Sequence, residues 1–256
     1  PTFVAWPGLS EISEFDEWGA VQTTFSPYGF RADVTPSALE AVRHRRAGVQ
    51  DEGSQLVASV FAQAAAEKSS WLDLCAGPGG KAALLSSIAL QGDHRFVANE
   101  ISQIRADLVK QVVGSHEVWV GDAREISTRG EGFDAILADV PCTGMGALRR
   151  RPEVRWRRSL SDLRELGVLQ REISDAAISI LNIGGVFGYA TCSPHLAETS
   201  IAVADILKKH PELEQIDVSP YLPSSLQGAV RDKCMALWTS VHDTDSMFLA
   251  LFKKST

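Results

Sequence analysis

The chain has 256 residues, of which 45% are hydrophobic and 22% charged, with a net charge of −7. These values suit a globular protein with one large domain and an accessory segment. No apolar run approaches the roughly 20 residues of a membrane span, and no basic region precedes an apolar core as in a signal peptide, so no membrane association is expected. The four cysteines, Cys75, Cys142, Cys192 and Cys234, form no C-x-x-C pair and are too scattered for a secreted disulfide scaffold. No metal site is therefore expected, and a reducing cytoplasm and a monomer are. The acidic balance argues against a nucleic-acid partner on average. Against it stands Arg149–Arg158, R-R-R-P-E-V-R-W-R-R, with six arginines in ten residues.

Pro1–Ala47 shows no clear period. It is acidic at Glu11, Glu14, Asp16 and Glu17 and punctuated by Pro27, Gly29 and Pro36, with a short helix expected over Ser37–Arg46. It reads as an accessory lead-in (residues 1–47). The start at Pro1 rather than Met reads as a piece of a longer protein. Gly48–Gly53 is a turn into a helix, expected to be capped by Ser54 and to run to about Glu67.

From Trp71 the pattern alternates. Trp71–Leu74 is a short buried strand, Gly77-Pro78-Gly79-Gly80 a tight turn, and Lys81–Ile88 a helix start. Strand, glycine turn and helix form the first unit of a Rossmann-like fold, in which bare backbone and free N–H groups meet a ligand. The turn is neither a G-x-G-x-x-G dinucleotide pattern nor a P-loop. Further strands are expected at Arg95–Asn99, Glu117–Val120, Phe133–Asp139 and Val186–Ala190, with Ser246–Phe252 closing the sheet. Helices are expected at Ser102–Val113, Ser161–Leu181, ended by Gly184-Gly185, and Leu196–Lys209. Repeated βα units predict an α/β fold with a mostly parallel sheet and helices on both faces.

In such sheets ligands sit beyond the carboxyl ends of the strands. There the sequence places Asp73 with the glycine turn, Glu100, Asp122, Asp139-Val140-Pro141-Cys142, and Thr191-Cys192-Ser193-Pro194. An acid after the second strand suits a ribose diol, which sets Glu100 apart from a solvated loop acid. Asp122 suits either an adenine amino group or the cap of the next helix. Without a phosphate-binding lysine motif, the set suggests S-adenosylmethionine, its amino-acid end over Gly77–Gly80. Cys75 and Cys234 read as small buried hydrophobes. Cys142 and Cys192, in polar loops at the predicted cleft, read as reactive thiols. A free thiol has a pKa of about 8.5, so each needs a nearby cation, for which Arg149–Arg151 are candidates.

D-L-C-A-G-P-G-G-K, A-D-V-P-C-T-G-M-G, R-R-R-P-E-V-R-W and Y-A-T-C-S-P together resemble the RNA cytosine-5 methyltransferases of the Sun and nucleolar-protein family. So do G-V-Q-D-E-G-S-Q-L-V-A and the closing D-T-D-S-M-F-L-A-L-F-K-K, and within the family the bacterial small-subunit ribosomal RNA members are most similar. The resemblance covers about Gly48–Lys254. It implies a Rossmann-like class I methyltransferase with a seven-stranded, mostly parallel sheet over residues 48–256, preceded by the end of an RNA-binding region. It implies S-adenosylmethionine as cofactor and RNA, chiefly ribosomal RNA, as substrate. By the same match Cys192 attacks carbon 6 of cytosine, Cys142 assists loss of the carbon 5 proton, Asp139 hydrogen-bonds ring nitrogen 3, and Lys81 stands near the cleft. The implied cofactor contacts are Cys75, Ala76, Gly77, Pro78, Gly79, Gly80, Lys81, Glu100, Arg105, Asp122 and Asp139. Arg149, Arg150, Arg151, Arg155 and Trp156 suit phosphate contact and base stacking. Transfer RNA as substrate, and a non-catalytic RNA-binding assembly factor on the same fold, are the alternatives; intact Cys142, Cys192 and Asp139 argue against the second.

Overall fold

The computed structural model describes residues 1–256. The first 49 residues form a four-stranded antiparallel sheet in the order β2-β3-β1-β4. Its strands are β1 (Thr2–Ala5), β2 (Val21–Gln22), β3 (Gly29–Arg31) and β4 (Ala47–Val49), with one helical turn, α1 (Glu40–Arg43). Phe3 and Phe15 both stack on Phe30, with ring centroids 5.1 and 4.3 Å apart. Alternation along β1 sends Phe3 and Ala5 into this small core, and Val4, with Trp6 just beyond the strand, into the main one. A strand buried on both faces is apolar throughout, which is why no period shows in the sequence. The small sheet runs two residues past Ala47, since β4 ends at Val49.

Helix α2 (Glu52–Ala64) follows at once and is almost wholly buried. Its cap is Asp51, which accepts from the Gly53 N–H at 2.9 Å; the expected cap, Ser54, lies inside the helix. The main sheet begins with β5 (Ser70–Asp73), α3 (Gly80–Gln91), β6 (Arg95–Glu100), α4 (Gln103–Lys110) and β7 (Glu117–Val120). It continues with β8 (Phe133–Asp139), α5 (Val154–Arg157), α6 (Leu160–Ile180), β9 (Leu181–Thr191) and α7 (Ser200–Lys209). It closes with β10 (Leu213–Ile216), β11 (Val230–Arg231), β12 (Cys234–Ala236), α8 (Thr239–His242) and β13 (Phe248–Lys254). Strands β7-β6-β5-β8-β9 are parallel, and β13 joins β9 antiparallel. The far edge of β13 is shared by β12, opposite Phe248 and Leu249, and β10, opposite Leu251–Lys254. The β11–β12 hairpin thus extends the expected seven strands to nine.

Successive residues in β5 feed opposite faces: Trp71 packs with α2 and α3, and Leu72 with the layer that holds α6 and α7. The α6 helix ends at Ile180, and Gly184-Gly185 lie inside β9 rather than stopping the helix. Leu181 pairs with Phe133 and Val186 with Ala135, so Asn182–Gly185 bulge outward, and Gly184 takes a φ of +78° there.

Farther along β9, Gly188 sits beneath α2. A Cβ built on it would lie 2.8 Å from the Phe61 ring and 3.1 Å from Leu137. Gly188→Ala is therefore expected to destabilise the fold by about 1–3 kcal/mol through overpacking. Denaturant unfolding measures this, and an unchanged midpoint would show that the layer yields at this point.

Candidate active site

The turn from β5 into α3 is nearly bare backbone, backed by acids. The Gly77 N–H donates to Glu100 Oε2 at 3.0 Å, and a Cβ on Gly77 would collide with that oxygen. Gly79 has a φ of +115°, in the region that favours glycine. Glu100 is 3% exposed; its Oε1 accepts from the Ser102 N–H at 2.8 Å and pairs with Arg105 at 2.6 Å. It is a buried structural acid of the turn, not a solvated loop acid. Beneath it Asp73, at the end of β5, is buried with Oδ1 unpartnered, and burial together with Asp139 pushes its carboxyl up to about 7. Cys75 sits in the same turn, and burial holds its thiol well above the usual range.

Asp122 caps the turn Ala123–Arg129, accepting from the Arg124 N–H at 2.9 Å and pairing with the Arg124 guanidinium at 2.6 Å. Of the two roles open for it, the structure shows the cap; Arg124 engages both oxygens and holds the carboxyl below its usual range.

The glycine turn fits the amino-acid end of S-adenosylmethionine. An added Cβ at Gly77 would strike Glu100, so the backbone there must stay bare, and Asp73 offers an unpaired acceptor below it.

The carboxyl ends of β8 and β9 bring the reactive side chains together. Lys81, in the first turn of α3, places Nζ 2.7 Å from Asp139 Oδ2, at the end of β8. Burial pulls the Lys81 pKa down, but Asp139 outweighs it and the ammonium is held. The Sγ atoms of Cys142 and Cys192 stand 3.3 Å apart. Their shifts are opposed. The hydrogen bond from Cys142 lowers the Cys192 pKa, assisted by Lys81, while the same bond and burial raise Cys142. Cys192 is thus the more acidic thiol of the pair.

The sequence pointed to Arg149–Arg151 as the cations acting on the thiols; in the structure Lys81 acts on Cys192, and Arg150 interacts with it as well, while Arg149 and Arg150 are engaged by carboxylates. Arg149 pairs with Asp51 at 2.9 Å and with Asp243 at 3.3 Å. Arg150 donates Nε to Asp245 Oδ2 at 2.9 Å. Asp51 and Asp245 are buried, and a buried carboxylate needs a cation or several donors. Arg149 and Arg150, also expected at the RNA surface, are thus tied to acids through their guanidinium groups, although both residues stay exposed. Arg151, Arg155 and Trp156 remain exposed, Trp156 at 82%, with the Arg155 guanidinium 5.5 Å from its ring centroid. Sequence reasoning singled out neither Asp51 nor Asp245. Their only signal was acidic residues directly before buried apolar segments.

The same loop is stitched to the backbone of Cys192. The Gly146 N–H donates to the Cys192 carbonyl, and the Ser246 N–H to the Gly146 carbonyl, each at 2.9 Å. A Cβ on Gly146 would collide with the Ser246 carbonyl oxygen. No group of three or more His, Cys, Asp or Glu side chains stands close enough to hold a metal ion, and no helix is long and apolar enough to cross a membrane.

The family model for the 16S rRNA methyltransferases RsmB/F matches residues 60–253. A Mycobacterium tuberculosis protein described as a methyltransferase is 48% identical over 236 residues, which cover 91% of this chain and 51% of that protein. The ribosomal RNA small subunit methyltransferase B of Pectobacterium carotovorum is 39% identical over 152 residues, covering 57% of this chain and 35% of that protein. The chain thus spans about half the length of the first relative and a third of the second. The crystal structure of PH0851 superposes with a TM-score of 0.86 at 25% identity, covering 99% of this chain and 59% of that one. NSun6 from Pyrococcus horikoshii, solved with SFG, gives 0.73 at 24%, covering 90% and 60%, and shows the shared fold. With a doubly wound sheet, a glycine turn backed by Glu100 and a facing cysteine pair in place, this chain belongs to the RsmB/F family of 16S rRNA methyltransferases.

Proposed function

We propose that the chain methylates carbon 5 of a cytosine in ribosomal RNA through a covalent cysteine–cytosine adduct. The observation that carries this is the thiol pair: Cys142 and Cys192, 3.3 Å apart and oppositely shifted, beside the Lys81–Asp139 ion pair. Carbon 5 of cytosine is a poor nucleophile, and a thiolate adding at carbon 6 converts it to an enamine carbon. Cys192, already biased toward the thiolate, is suited to form that carbon–sulfur bond. Asp139, with the Lys81 ammonium beside it, is suited to hydrogen-bond ring nitrogen 3 as charge builds there. S-adenosylmethionine, held by the Gly77–Gly80 backbone with Glu100 and Arg105, supplies the methyl group. With Cys192 bonded to carbon 6, Cys142 loses its proton to solvent; as the thiolate it takes the carbon 5 proton, the carbon–sulfur bond breaks, and Cys192 leaves as the thiolate. The base must be unpaired or turned out of a helix to reach this cleft, and the exposed Arg151, Arg155 and Trp156 offer phosphate contact and a stacking face.

The two cysteines should fail differently. With ribosomal RNA and cofactor, Cys192→Ala should form no adduct and transfer no methyl group. Cys142→Ala should attack and methylate, then stall, leaving an enzyme–RNA adduct that survives denaturing electrophoresis. The reverse pattern would exchange the roles.

The shifts give a pH expectation without RNA. Folded Cys192 has a lowered pKa, so its thiolate persists to lower pH than in the unfolded chain and is lost only as pH falls through the folded value. Its alkylation rate by iodoacetamide should rise with pH at an inflection below that of the unfolded chain, and Cys142→Ala should move that inflection upward. An unmoved inflection removes Cys142 as the donor.

The arginine stretch divides in the same manner. Replacing Arg155 and Trp156 by Ala should weaken RNA binding and flatten its salt slope, by roughly 0.7 for each phosphate that is no longer neutralised. Arg150→Ala should instead lower the unfolding midpoint, because Asp245 is left buried without its cation. Equal salt slopes for the Arg155/Trp156 variant and the parent would leave the exposed stretch without a role in RNA binding.

A further inference from the structure

Behind the thiol pair lies a carboxylate that none of the steps above uses. Glu198, in the turn just before α7, is completely buried. Its Oε1 accepts from the Thr143 N–H at 2.8 Å and from Gln170 Nε2 at 3.0 Å, and its Oε2 accepts from the Thr143 hydroxyl at 2.5 Å. Gln170, buried on α6, gives the same amide to the Pro141 carbonyl at 2.9 Å. The residues on either side of Cys142 are therefore both fixed by this pair: Pro141 through Gln170, and Thr143 through Glu198. Because the Thr143 hydroxyl spends its proton on Glu198, it must accept from the Ser193 hydroxyl, 3.2 Å away. Ser193 Oγ in turn accepts from the His195 N–H at 3.2 Å. One chain of hydrogen bonds thus runs from the residue after Cys192 to the residue after Cys142 and ends on the carboxylate. Glu198 makes no hydrogen bond to either sulfur.

We propose that Glu198 is a positioning residue: through Thr143 and Gln170 it fixes Cys142 against Cys192, and so governs release of the methylated base rather than its methylation. This rests on the division of labour proposed for the two cysteines. Without the carboxylate, the Thr143 N–H, the Thr143 hydroxyl and one N–H of the Gln170 amide lose their acceptor, the other N–H still reaching the Pro141 carbonyl. The Pro141–Thr143 loop must move to find partners, and Cys142 moves with it. Cys192 has anchors apart from this chain: Thr191 before it is paired with Phe248 of β13, and its own carbonyl accepts from the Gly146 N–H.

Two readouts test this. In the reaction with ribosomal RNA, Glu198→Ala should accumulate at least tenfold more denaturation-resistant adduct than the parent, approaching Cys142→Ala. Cofactor affinity should stay within twofold, and Glu198→Gln, which keeps one acceptor, should fall between. In the absence of RNA, diamide should close the Cys142–Cys192 disulfide at least tenfold more slowly in Glu198→Ala; two thiols lose two hydrogen atoms and the diazene becomes the hydrazine. If Glu198→Ala does not fold, Thr143→Val, which removes only the hydroxyl link, takes its place in both assays with the same direction expected. Adduct accumulation in Cys142→Ala but not in the Glu198 or Thr143 variants overturns the proposal, as does an unchanged disulfide rate. If Cys142→Ala itself holds no adduct, the reading of the reaction fails, and the disulfide rate alone decides whether Glu198 places Cys142.

Discussion

The register between β8 and β9 decides where the chemistry can occur. Asp139 is paired with Ala190 in parallel strands, so the chain leaves the sheet at the same level on two adjacent paths. Cys142 lies three residues past Asp139 and Cys192 two past Ala190. Neighbouring strands are about 4.8 Å apart, so residues two or three beyond a shared level meet if their loops turn toward each other. A slip of one residue would turn each side chain to the opposite face and part the thiols. The antiparallel β13 braces β9 along its whole outer half, from Val186 to Thr191, which keeps this register from shifting on the Cys192 side.

Around this edge the molecule buries more charge than a globular core usually tolerates, and nearly every buried charge has an identified partner. Glu100 has Arg105 and two backbone donors; Lys81 has Asp139; Asp51 and Asp245 have Arg149 and Arg150; Glu198 has Thr143 and Gln170. Pairs of this kind add little net stability, because desolvation offsets attraction. What they fix is geometry, since an ion pair with its hydrogen bonds tolerates far less displacement than an apolar contact. Asp73 is the exception, with one oxygen unpaired beneath the glycine turn.

The parallel half of the fold was legible in the sequence because its strands are short apolar runs bounded by Gly, Asp and Pro, and their ends announce the ligand edge. Glu100, Asp139, Cys142 and Cys192 all fall there. The rest was hidden for separable reasons. The small amino-terminal sheet carries β1 between two cores, so both periods vanish from its sequence. Gly184-Gly185 resembled a helix stop because a bulge and a cap call for the same residue. Asp51 took the cap that Ser54 seemed placed for. The pairing of Arg149 and Arg150 with buried acids depends on partners 98 and 95 residues away, and no local pattern carries that information.

The knot of Asp51, Arg149, Arg150 and Asp245 also has a meaning in time. The N–H of Asp245 donates to Asp51 at 3.0 Å, and the next residue, Ser246, donates to Gly146. The loop between the two cysteines is therefore anchored by a segment made long after both of them. While the chain is being synthesised, a nascent molecule that already contains Cys142, Cys192, Lys81 and Asp139 still lacks the two contacts that shape the loop. Reactive thiols in an unfinished protein are a hazard, open to stray alkylation and cross-linking. By placing these anchors at Asp245 and Ser246, this architecture makes the shape of the Gly146 loop depend on a segment synthesised well after Cys192.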